Sequence, residues 1–168
     1  MTKRIALLPA LTAVAAVAAI ALLVPLGAQS EHLGALRAPG PRHVFSQTTW
    51  DSVFTADQAT RGDSLYKVTC VKCHGPELAG GDDGAPLSGT LFLGNWTGLP
   101  LNELYEKMRT TMPSDNPKSV PPEQLIDILA FMLSKNQFPA GSKALTTDST
   151  LLKDIKIQQN KPTTAPPF

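Results

Sequence analysis

Cys70-Val71-Lys72-Cys73-His74 is the stretch on which the reading of this 168-residue chain turns. Two thiols three residues apart can each form a thioether with a haem vinyl group, and an imidazole beside the second thiol then lies under the iron. C-x-x-C-H therefore reads as a covalent haem-attachment sequence. Other uses of the same residues fit less well. A Cys70–Cys73 disulfide leaves His74 without a role, and a redox C-x-x-C belongs in a thioredoxin-like βαβ setting that is absent here. A tetrahedral zinc site takes four ligands, usually from two separated pairs, and the chain holds two Cys and three His in all.

Upstream of the motif the pattern is helical. Thr55 is placed to cap a helix, with Gln58 three residues on completing a capping box. Ala59, Gly62, Leu65, Tyr66, Val68 and Thr69 recur at spacings of three and four, so a helix is predicted to run to about Thr69 and deliver Cys70. Gly62 inside it costs about 1 kcal/mol relative to alanine, which points to close approach of another helix. Downstream, Gly75 to Gly84 is a loop by its glycine density. It is no phosphate loop, because no strand precedes it and no G-K-[ST] ends it.

Leu91, Phe92, Leu93 and Trp96 follow in a stretch without clear period and read as core or pocket packing. Pro100 to Thr110 is predicted helical, with Leu101, Leu104, Tyr105 and Met108 on one face and Glu103, Glu106, Lys107 and Arg109 on the other. Pro113 ends it. A last long helix opens at Pro121-Pro122-Glu123-Gln124, buries Leu125, Ile128, Leu129 and Met132, carries Phe131, and stops before Phe138-Pro139-Ala140-Gly141. Met108 and Met132 sit on apolar helical faces, where methionine is a common filler. Met112 differs: it stands in a loop immediately before proline, where the backbone is extended and a thioether can be aimed into a pocket.

Gly62, Tyr66, Cys70, Cys73 and His74 spell Gly-x3-aromatic-x3-Cys-x2-Cys-His, and with this string the chain resembles class I c-type cytochromes over about Trp50 to Ala140. The resemblance implies an all-α cytochrome c fold, a few helices around one covalently bound haem c. It implies that Gly62 and Tyr66 pack against Phe131 of the C-terminal helix. Ala85-Pro86-Leu87-Ser88-Gly89 looks like the family's Pro-x-Leu-x-Gly turn, with alanine at its first position. By that likeness the Ala85 carbonyl accepts from the proximal histidine and Leu87 lies at the haem. The Met-Pro pair after a helix matches the family's distal-ligand loop, so the iron ligands implied are His74 and Met112, with Met108 the runner-up and His32 and His43 behind it. Trp96 corresponds to a tryptophan that in some relatives donates to a haem propionate. The function implied is that of a single-electron carrier and not an enzyme, although such a domain also serves as a subunit of oxidoreductase complexes. Its partners would be redox proteins: a dehydrogenase, or a respiratory or photosynthetic complex. The alternative is a haem enzyme or gas sensor with an open sixth position.

The rest of the chain bears on location. Lys3 and Arg4 precede an uncharged run from Ile5 to Leu26, and Ala28-Gln29-Ser30 offers a small-residue exit. Residues 1–30 read as a cleavable signal peptide or as an N-terminal membrane anchor through residues 5–26. Either way the basic end stays on the cytoplasmic side and the remainder is exported, periplasmic or tethered to the membrane. Without Lys3 and Arg4 the 15 basic residues fall to 13 against 14 acidic ones, and no nucleic-acid footprint is present. Residues 31–49 read as a tether, 50–141 as the cytochrome c domain, and 142–168 as a partly disordered extension whose apolar patch, Leu151, Leu152, Ile155 and Ile157, suits a small docking helix or strand.

Overall fold

The computed structural model describes residues 46–163. The leader, most of the tether and the last five residues lie outside them. The elements in order are β1 (Gln47–Thr48), α1 (Ala56–Thr69), α2 (Val71–His74), α3 (Gly89–Trp96), α4 (Leu101–Thr111), α5 (Pro122–Lys135), α6 (Ser149–Lys153) and β2 (Ile155–Lys156). The architecture is all-α in class, the two strands contributing two residues each.

α1 starts where its cap dictates. The Gln58 N–H donates to Thr55 Oγ1 at 3.2 Å, and the Thr55 N–H donates to Gln58 Oε1 at 3.3 Å. These two bonds satisfy donors that a bare helix end would leave unpaired. α5 begins on Pro122, whose missing N–H costs nothing in a first turn. It is buried continuously from Leu125 to Leu133 and forms the central rod of the domain.

α1 crosses α5 at Gly62. A Cβ at this glycine would lie 2.8 Å from Phe131 Cβ and collide with the Asp127 carbonyl, so only glycine lets the backbones come this close. Beside the contact, Tyr66 and Phe131 meet with ring centroids 5.3 Å apart. Arg61 clamps the crossing from the solvent side through two bonds to Asp127, at 2.7 and 2.8 Å.

The sequence-based expectations need correction in three places. The stretch from Leu91 to Trp96 is part of a regular helix, α3. Two turns interrupted by Gly94 are too short to display a period, but Phe92 and Trp96 stand at the i, i+4 spacing and pair at 6.4 Å. The tether is also shorter than 31–49, because Gln47 and Thr48 pair in parallel with Ile155 and Lys156 and Thr49 is fully buried. Finally, the described part of the extension, 142–163, is a belt built into the fold, although its apolar patch does form the expected small helix and strand, α6 and β2. Leu152, Ile155 and Ile157 are core residues. The Trp50 indole donates to the Gln158 carbonyl at 2.8 Å, the Gly141 N–H to Phe54 at 2.7 Å, and the Ile157 N–H to Leu99 at 2.9 Å. Gln58 fixes the belt from inside, its amide bonding both backbone groups of Leu145 at 2.8 and 2.9 Å. Among the described residues no helix is long and apolar enough to cross a membrane.

Candidate functional site

The site grows from the end of α1. The Cys70 N–H closes the last turn of that helix on Tyr66, and α2 adds one more turn in which the His74 N–H returns to the Cys70 carbonyl at 3.0 Å. The thiols of Cys70 and Cys73 are free and half-buried. Tyr66, buried at the helix crossing, donates its hydroxyl to the Gly75 carbonyl at 2.6 Å and so ties the far end of the motif to the helix that carries it. Burial, followed by the nearby Cys70, pushes the Tyr66 phenol up to about 12. Burial and then Cys73 push the Cys70 thiol up to about 11, so as a free thiol it is neutral at physiological pH.

The glycine-rich loop folds back onto the motif. The Gly80 N–H donates to the His74 carbonyl at 3.0 Å, and at Gly84 a Cβ would fall 2.7 Å from the Cys73 carbonyl carbon and 3.0 Å from His74 Nδ1. This close approach sets the Ala85 carbonyl oxygen 2.7 Å from His74 Nδ1. A carbonyl only accepts, so Nδ1 carries the proton and the Nε2 lone pair is left free for a metal.

All seven residues singled out in the sequence, Cys70, Cys73, His74, Ala85, Leu87, Trp96 and Met112, line one cavity of about 260 Å³. Met112 reaches it from the C-cap of α4, where its backbone turns extended ahead of Pro113. Leu104 and Met108 of α4 and Leu125, Ile128 and Met132 of α5 complete the apolar wall. Sequence reading assigned Leu104, Leu125, Ile128 and Met132 to the core alone and Met108 to the core by default, with second place as an iron ligand, although their spacing of three and four within each helix is the signal that they share a face. Lys72 and Asp115 stand at the cavity as a 3.7 Å exposed ion pair, worth at most about 1 kcal/mol.

Two thiols, an imidazole with Nε2 free, a thioether and a greasy slot suit haem c. They do not suit a directly chelated ion: among the described residues no three His, Cys, Asp or Glu side chains converge on a common point. With haem bound, Cys70 and Cys73 would hold it by thioethers and His74 would face its iron.

Residues 57–132 match the family model for cytochrome c oxidase, cbb3-type, subunit III. Among solved structures, the chain is similar to the sulfane dehydrogenase SoxCD from Paracoccus pantotrophus, at 22% identity and a TM-score of 0.44, over 59% of this chain and 58% of that one. The chain thus spans less than two thirds of that relative. No curated protein matches. The attachment motif, the helical architecture around it and the family match over 57–132 together identify this region as a c-type cytochrome domain, of a family that binds haem c covalently.

Proposed function

We propose that the protein is a single-electron carrier whose haem iron is held between His74 and Met112. One observation carries this reading: the helix that ends in Cys70 and the helix that ends in Met112 deliver the attachment motif and a thioether to the same cavity. Bound haem c would supply a ferric/ferrous couple, and the Met112 thioether would raise its potential because soft sulfur favours ferrous iron. The chain's own part is to hold the imidazole through Ala85 and to keep water from the apolar wall formed by α4 and α5. His74 and Met112 together would leave the iron no vacant site for oxygen or a substrate, which favours the carrier over a haem enzyme or gas sensor. Rim charges such as Lys72 and Asp115 act on encounter rate with a redox partner more than on affinity. The partner would be a dehydrogenase or a respiratory or photosynthetic complex in the periplasm, and the chain would be exported through its leader.

Met112→Ala in the haem-loaded protein tests the ligand. The expected result is loss of the six-coordinate low-spin ferrous spectrum, rapid carbon monoxide binding and a lower reduction potential. An unchanged spectrum and potential would show that another group fills that position.

A further inference from the structure

Asn136 caps α5 and is 7% exposed, yet it is not part of the cavity wall. Both ends of its amide are bonded. Nδ2 donates to the Leu87 carbonyl at 3.0 Å and to the Met132 carbonyl at 2.8 Å, and Oδ1 accepts from the Gly89 N–H at 3.0 Å. Leu87 and Gly89 end the turn that begins at Ala85, whose carbonyl sits on His74 Nδ1. The turn is thus held at one end by the imidazole and at the other by the last residue of the central helix. A third bond, from the Leu87 N–H to the Leu78 carbonyl at 2.8 Å, joins its middle to a fully buried residue.

We propose that Asn136 is a positioning residue for the proximal imidazole. By fastening residues 87–89 to the end of α5 it keeps the Ala85 carbonyl against Nδ1–H, and it does so without touching the haem site itself. This rests on the reading of His74 as an iron ligand. A firm Nδ1–H···O=C bond fixes the ring and increases its donor strength toward the metal, which favours ferric over ferrous iron. A freed turn weakens the bond, so the potential rises. Asn136 therefore tunes the couple from the opposite end of the turn.

The test uses the intact haem-loaded protein, with Asn136→Leu as the near-isosteric variant that removes all three bonds and Gln58→Ala as a control. Gln58 anchors the belt, and its side-chain amide bonds Thr55 and Leu145 and not the turn. The expected result for Asn136→Leu is a raised potential, read as a several-fold lower ferric-to-ferrous ratio at fixed ambient potential, with faster exchange of the His74 Nδ1 proton. Gln58→Ala should lose stability and keep its potential. Stability lost in Asn136→Leu with the potential and Nδ1–H exchange unmoved overturns the proposal. Should that variant not fold, hydrogen exchange in the unaltered protein decides: the Gly89 amide and the His74 Nδ1 proton are expected to open together, and independent exchange overturns the proposal. A wild-type spectrum lacking low-spin, nitrogen-ligated haem instead overturns the ligand reading beneath it, so the two failures are distinguishable.

Discussion

Gly62→Ala places one methyl group where two helix backbones touch. The added Cβ would meet Phe131 Cβ at 2.8 Å and run into the Asp127 carbonyl, and neither obstacle is the free end of a flexible side chain. α1 and α5 must therefore part, loosening the Tyr66–Phe131 pair and the Arg61–Asp127 clamp at the same crossing. Overpacking of a core costs about 1–3 kcal/mol, and a backbone obstacle puts this case near the upper end. Alanine's better helix propensity offsets about 1 kcal/mol. The net destabilisation is about 2 kcal/mol, which for a domain of this size lowers the melting temperature by roughly 8 °C. Gly94→Ala is the internal control. It also lies inside a helix, a Cβ there meets nothing, and its backbone has no positive φ, so it should gain up to about 1 kcal/mol. Thermal unfolding of the haem-loaded proteins by far-UV circular dichroism reads both. If Gly62→Ala melts at or above the parent temperature, as Gly94→Ala should, the crossing is not as close as argued.

Tyr66→Phe removes the 2.6 Å bond to the Gly75 carbonyl and should cost about 1–2 kcal/mol at neutral pH in denaturant titration. Because the folded-state phenol is raised from 10 to about 12, its contribution is complete below pH 10 and lost as pH climbs through 12. Wild type should lose stability over that window, and the Phe variant should lack this component. Gln58→Ala strands both backbone groups of Leu145 and breaks the capping box, so a loss of about 3 kcal/mol is expected, with early hydrogen exchange at the Leu145 amide; retained protection there would show that the belt is held by other contacts.

What was legible in the sequence was what is local. The capping box, the helix feeding Cys70, the glycine that demands a crossing and the methionine before a proline are all written within a few residues of each other. The helix carrying Phe131 was read from its own pattern, but its crossing with Gly62 came only from the family resemblance. Of the belt only the apolar patch from Leu151 to Ile157 was marked: strands of two residues have no period, and the Trp50 indole reaches Gln158 across 108 positions. Asn136 was missed for a related reason. A single buried amide at a helix end looks like any C-cap until the turn folded against it, 49 residues earlier, comes into view. Ala85 was legible because its role belongs to the backbone carbonyl, which survives the change of side chain from proline.

The direction of the β1–β2 pairing has a mechanical meaning. The strands run parallel, Gln47 beside Ile155 and Thr48 beside Lys156, so the chain enters at one end of the ribbon and leaves at the other. Tension applied through the two ends of the domain pulls the strands lengthwise past one another and loads their hydrogen bonds together instead of peeling them apart singly. The ribbon thus acts as a lap joint, and a pull on either flank is met there before it reaches the helices that hold Cys70 and Met112.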